Sequence, residues 1–248
     1  MRLYAANLIN ELQKLAARKK YIVFFLIEVA ICVLNVLLKL LVSKIANGAF
    51  QISIQNMAMG MQSFFLQIWI PLIVFLASAD LFGSEFQDSS IKAVLCRPIS
   101  RFKVYLSKLS AVFAVGVICL FGVFVTSVIL EGITVGSVAN FGAALGAYLL
   151  DCLPLMVLVL MAALINQFGK SATVSMFLCI IVYMVLQIGG IFIPQLSALL
   201  FTGYLQWHNI WLGTTLPFGT VIGKIALLLG YGLVFFSGGN FLFLRREV

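Results

Sequence analysis

Six apolar runs leave this chain few folds to choose from. They are Tyr21–Ser43, Ala58–Phe82, Leu109–Leu130, Phe141–Ile165, Thr173–Ile193 and Val221–Leu244. A bilayer core about 30 Å thick needs ~20 apolar residues per helical span, so each run is long enough to cross once. None alternates with period two over about ten residues, as strands of a membrane barrel do. The expected fold class is all-α: a polytopic membrane protein with six transmembrane helices, forming a single transmembrane domain over residues 1–248. Composition agrees, because only 10% of the residues are charged and 63% are hydrophobic. A soluble domain carries roughly a quarter charged residues to face water, and this chain cannot cover such a surface.

Lysine and arginine are enriched in cytoplasmic loops, and here they set an orientation. With the N-terminus inside, thirteen of the sixteen cations face the cytoplasm, and only Lys39, Lys44 and Lys224 fall toward the other side. Both termini are therefore expected inside, in a plasma membrane, and the resemblance described below implies a bacterial one. The first run follows Arg18-Lys19-Lys20 and lacks a small-x-small site at its end, so it is expected to stay as a signal anchor and not be cleaved.

Residues 1–20 before it are expected to form an interfacial amphipathic helix. At 100° per residue, Tyr4, Ala5, Leu8, Leu12, Leu15 and Ala16 share one side, and Asn7, Asn10, Glu11, Lys14 and Arg18 share another. Such a helix anchors to the membrane surface, and it can also offer a face to a cytosolic partner. The long outer connector, Pro194–Thr220, has no charged residue but carries Tyr204, Trp207, His208 and Trp211. Tryptophan and tyrosine favour the headgroup level, so this segment is expected to dip into the outer leaflet before the sixth span, with Trp207 and Trp211 shielded by lipid.

Little in the chain supports chemistry of its own. It has one histidine, so a two-histidine metal motif is excluded, and its five cysteines are scattered without the spacing of a zinc site or disulfide framework. The fragment Phe168-Gly169-Lys170-Ser171 resembles the end of a phosphate-binding loop, but the glycine required five residues before Gly169 is Leu164. No cofactor is expected on this chain, no metal, no catalytic residue and no nucleic-acid partner. Ionisable residues inside spans are costly and point to function, and Glu28 and Asp151 are the two clear cases. They either line a substrate path or tie neighbouring helices together. Asp151 stands three residues before Pro154, where a helix can kink and free a carbonyl. The Gly142-x-x-x-Gly146 pair would permit close helix contact.

The connector 83–108 is the most informative segment. Four cations, Arg97, Arg101, Lys103 and Lys108, fall within fourteen residues, and Lys92 stands just upstream. Glu85, Asp88 and Lys92 form one stripe of a short helix, with Asp88 and Lys92 in the favourable i, i+4 order. Pro98 breaks that helix, because the residue before a proline is pushed out of the helical region. A second helix is expected from near Ser100, with Arg101, Tyr105 and Lys108 on one face. A loop that only fixed topology would need the cations but not the acids or the helix-Pro-helix form.

The run from Glu85 to Arg101, with Lys108 following, resembles the connector of type-2 ATP-binding-cassette (ABC-2-type) exporter permeases. That pattern has a glutamate, Gly-Thr, a short apolar helix, Pro-x-Ser-Arg and a lysine at the next span; here Ser89-Ser90 stands in place of Gly-Thr. The resemblance implies a cytoplasmic coupling helix between spans 2 and 3 that docks on a separate cytosolic ABC ATPase. Glu85, Asp88, Lys92, Arg97, Pro98 and Arg101 are then the coupling residues, and ATP and Mg belong to the partner. It also implies a second permease, either a copy of this chain or a paralogue, because six helices do not enclose a path alone. The expected function is export of an amphipathic or hydrophobic substrate such as a peptide, lipid or antibiotic. A secondary transporter and a non-transporting accessory membrane subunit remain the alternatives.

Overall fold

The computed structural model describes residues 2–45, 56–84, 100–138, 140–169, 171–209 and 218–245. All regular structure among the described residues is helical. An N-terminal helix, Arg2–Ala16, is followed by six helices long and apolar enough to cross a membrane: Lys19–Ile45, Met57–Gly83, Arg101–Val135, Phe141–Asn166, Ala172–Phe192 and Val221–Arg245. They are called spans 1 to 6 below. Short helical turns at Pro194–Ser197 and Phe201–Tyr204 lead from span 5 toward span 6.

Spans 2 and 4 form the centre, with 67% of each apolar window buried, against 17% for spans 1 and 5 and 6% for span 6. Span 6 packs most extensively on span 4, and span 3 contacts spans 1, 2, 4 and the N-terminal helix. The outer faces of spans 1, 5 and 6 carry bare apolar side chains such as Leu26, Ile181 and Leu233. Lipid or another apolar helix must cover them, since exposed apolar area on this scale is not stable in water.

Span 3 starts where the sequence puts it. Ser100 holds an extended backbone at the N-cap, and the helix then runs unbroken for 35 residues to Gly136, whose positive φ of 76° ends it. The second half of the basic connector is thus the first two turns of span 3. Span 4 keeps Pro154 inside a continuous helix.

Span 2 departs from the regular ladder twice, with π-helical turns at Phe65–Trp69 and Ala79–Gly83. Such turns concentrate at functional sites. Pro71 explains part of the first, since it has no N–H to give to the carbonyl four residues back. That carbonyl, on Gln67, instead accepts from the Tyr183 hydroxyl of span 5 at 2.7 Å. In the second, the Ser84 N–H bonds to Ala79 and not to Asp80, and the freed Asp80 carbonyl accepts from the Ser84 hydroxyl.

Two packing expectations need correction. A side-chain carbon built at Gly142 or Gly146 meets nothing within 4 Å, so their spacing marks no close helix contact within the chain. The neighbouring Ala144 and Ala147 turn inward instead. The N-terminal helix keeps only part of its polar stripe in water: Asn10, Lys14 and Arg18 are exposed. Asn7 and Glu11 are buried together with Leu15 against span 3, because span 3 presents polar partners to them there.

Candidate functional site

Charged groups gather at the two points where the chain enters and leaves the connector. Asp80, in the last turn of span 2, is the first of them. Its carboxylate pairs with Arg18 at 2.6 Å and with Lys20 at 2.5 Å, and it accepts from the Tyr21 hydroxyl at 2.6 Å. Arg18 also reaches the Ser84 hydroxyl at 3.4 Å. These contacts clamp the end of span 2 to the junction of the N-terminal helix and span 1.

Lys108 is the second. Its side chain is 0% exposed and donates to Glu11 at 3.3 Å and to the Leu81 carbonyl at 3.0 Å. One ammonium therefore joins three elements: span 3, span 2 and the N-terminal helix. Asn7 donates to Ser107 at 2.5 Å, and Tyr4 and Ser110 share a hydrogen bond of 2.7 Å. Together these explain the buried polar contacts, since Tyr4, Asn7 and Glu11 meet Ser110, Ser107 and Lys108. A buried ion pair can be strongly costly to break from one side, because the other charge stays behind without its partner.

Arg101 lies at the start of span 3, exposed, and donates to the Leu244 carbonyl at the C-terminal end of span 6 at 3.0 Å. Tyr105 and Lys108 share its face as expected, but that face turns into the bundle, where Tyr105 packs on Phe82, Phe236 and Phe243. The remaining expected coupling residues, Glu85, Asp88, Lys92, Arg97 and Pro98, lie outside the described residues.

At the other end of the bundle the segment after span 5 folds back inside. Asp151 stands ten residues into span 4, about 15 Å along it at 1.5 Å per residue. Its carboxylate accepts from the His208 backbone at 2.9 Å, from His208 Nδ1 at 2.6 Å and from Gln62 of span 2 at 2.7 Å. All three residues are buried. These bonds tie the segment at His208 to spans 2 and 4 and so can act as a latch. Trp207 is shielded, but by protein and not by lipid: it is 2% exposed and sits edge-on to Tyr204, with ring centres 6.0 Å apart. Trp211 lies outside the described residues.

Glu28 is buried in span 1, beside Cys119 and Trp69. It sits against Phe25 and Gly122, where a side-chain carbon would come within 2.8 Å of its oxygen. Sequence reading missed a third acid at depth. Glu131, near the C-terminal end of span 3, is 1% exposed and accepts from the backbone N–H groups of Asn56 and Met57 at 3.0 and 3.1 Å. It caps the start of span 2, where free N–H groups and the helix dipole both favour a negative charge.

An apolar cleft of about 280 Å³ opens between spans 2 and 5. Its polar groups are Gln67, Tyr183 and Gln187, and Gln187 donates to the Tyr183 hydroxyl at 2.8 Å. Neither Glu28 nor Asp151 lines it.

Among the described residues the chain is a bundle of six helices long and apolar enough to cross a membrane, with most of its charge near the two ends and Glu28 and Asp151 buried within spans. Residues 8–190 match the family described as ABC-2 family transporter protein, and the chain belongs to that family. It is a multi-pass permease of an ABC-type transporter, a membrane subunit in a family whose members partner with an ABC ATPase and do not hydrolyse ATP themselves. No curated protein matches the chain.

Proposed function

We propose that this chain is the transmembrane subunit of a bacterial exporter, driven by a separate cytosolic ATPase that binds ATP and Mg and grips the connector 83–108. The observation that carries this reading is the way both ends of the connector are fastened. Where the chain leaves span 2, Asp80 and Ser84 are held by Arg18 and Lys20. Where it returns, Lys108 is bonded to Glu11 and the Leu81 carbonyl, and Arg101 to span 6. Displacing the connector would then move spans 2, 3 and 6 and the N-terminal helix together instead of bending a slack loop.

In this reading two permeases, identical or paralogous, assemble with two ATPases. The substrate path runs beside the span 2–span 5 cleft, whose apolar walls and few amide and hydroxyl groups suit an amphipathic or hydrophobic substrate. Both termini are cytoplasmic. Cys96 should therefore react with a membrane-impermeant thiol reagent in inverted vesicles and not in intact cells. Labelling from outside would overturn the orientation and the coupling assignment together.

The connector itself is tested by Glu85→Ala, Arg97→Ala and Arg101→Ala, with Lys170→Ala in the other inner loop as control. Arginines flanking a turn form bidentate pairs with carboxylates, and losing one side of a desolvated pair costs ~2–5 kcal/mol, about 30-fold or more in assembly. Each connector variant should express and insert normally, yet recruit the ATPase poorly or hydrolyse ATP without transport. If all three transport like the parent in reconstituted vesicles, the loop only sets topology. A non-transporting accessory subunit would instead bind the ATPase while no substrate stimulated hydrolysis.

A further inference from the structure

A second cavity, of about 540 Å³, lies between the N-terminal helix and spans 1 and 3, away from the span 2–span 5 cleft. Leu12, Leu15 and Ala16 roof it, Ile22 and Phe25 form one wall, and Val115, Ile118 and Cys119 form the other. Its size falls within the ~300–1,000 Å³ of small-molecule sites. Ile22 and Ile118 are 57% and 60% exposed, so the cavity opens sideways into the lipid-facing surface. Its lining is almost wholly apolar, which excludes a water-soluble ligand.

The chemistry changes sharply at the mouth. Arg18, Lys19 and Lys20 stand where the N-terminal helix meets span 1, and Lys19 is one helical turn before Ile22 on the wall. Asp80 neutralises one of these three charges through its pairs with Arg18 and Lys20. Two positive charges remain in excess at the headgroup end of an apolar slot. Lys19 is exposed and makes no ion pair among the described residues.

We propose that this cavity holds an acyl chain of one anionic phospholipid, with its phosphate at Arg18, Lys19 and Lys20. The ligand must carry both features at once: a hydrocarbon tail for the slot and a negative head for the cations. A lipid of the leaflet that these cations face supplies both without leaving the bilayer. The lipid would fill the gap beneath the N-terminal helix and so brace the clamp on Asp80. The site rests on membrane embedding alone and stands whether or not an ATPase grips the connector.

The test is lipid retention. The full chain is reconstituted in bilayers of equal phosphatidylglycerol and phosphatidylcholine, extracted gently, and weighed by native mass spectrometry. One phospholipid per chain should remain, enriched in phosphatidylglycerol about tenfold or more over the bilayer. Each Lys or Arg beside an anionic lipid contributes roughly a fivefold preference, so Lys19→Gln should lower the enrichment about fivefold without emptying the slot. Ile118→Trp, or the milder Val115→Phe, should remove both lipids, while Ile181→Trp on the open face of span 5 should not. Retention without headgroup preference, or retention unaffected by both filling variants, would overturn the site. Displacement of the preference by millimolar glycerol phosphate would also overturn it, since it would mean that the cations bind a free phosphate and the tail contributes nothing.

Discussion

Lys108→Met should be the most damaging single substitution at the connector end of the bundle, lowering stability by about 3–5 kcal/mol, the usual loss when a buried pair is broken from one side. Methionine keeps the length and apolar stem of lysine but donates no hydrogen bond. Glu11, 1% exposed, would keep only Lys14 at 3.1 Å, a cation 44% exposed and so weakly coupled through water. The Leu81 carbonyl would lose its Lys108 donor as well. At ~2–4 °C per kcal/mol for a chain of this size, the midpoint of thermal unfolding in detergent should fall by roughly 6–20 °C. The double variant Glu11→Gln, Lys108→Met separates charge from packing. It removes the stranded carboxylate and should recover half or more of the loss, because a buried ion pair replaced as a unit is often close to neutral. If the double variant is no more stable than Lys108→Met alone, the ammonium acts through space filling and the pair does not organise the junction.

The sequence shows its spans clearly because lipid imposes one rule on every crossing segment: backbone groups must pair within it, so apolar length alone marks a helix. Ser100 was legible for a similar local reason, since a cap depends only on its neighbours. The partners of the charged groups were not. Glu11 finds Lys108 ninety-seven residues away, and Asp151 finds His208 fifty-seven residues away. Nothing in local periodicity brings them together. The polar stripe of the N-terminal helix shows the same limit: helical spacing puts Asn7 and Glu11 on one side, but only the packing of span 3 decides whether that side meets water or Ser107 and Lys108. Asp80 falls inside the expected second span, yet its pairs with Arg18 and Lys20 were no more legible locally. Pro71 was the available signal for the first π-helical turn, since any proline inside a span leaves a carbonyl for another group to satisfy. The glycine pair of span 4 misled for the opposite reason, because spacing permits a close contact without supplying a neighbour.

Asp151→Ala should have the largest effect at the opposite end of the bundle. The carboxylate accepts three hydrogen bonds, two from His208 and one from Gln62, and bonds to a charged group contribute ~1.5–3 kcal/mol each in favourable cases. They are not additive, because all three share one acceptor group. A loss of about 3–4 kcal/mol is expected, through three buried donors left without an acceptor. The consequence for structure is specific. Span 4 and span 2 would no longer hold the His208 region, and Trp207 next to it would leave its buried place against Tyr204. Asp151→Ala should therefore shift the Trp207 emission toward the red and open it to aqueous quenchers, measured in a chain where Trp69 and Trp211 are replaced by phenylalanine. In the parent, Trp207 should resist aqueous and lipid-attached quenchers alike, since protein and not lipid encloses it. Asp151→Asn tests the charge: the amide oxygen can still accept, but its NH₂ faces donors, so it should behave closer to alanine than to aspartate. His208→Ala should release the same tryptophan while leaving the Gln62 bond to Asp151 in place, and so cost less stability than Asp151→Ala. If Trp207 stays shielded in both variants, the outer segment is held by its aromatic packing, and the Asp151–His208 pair does not latch it.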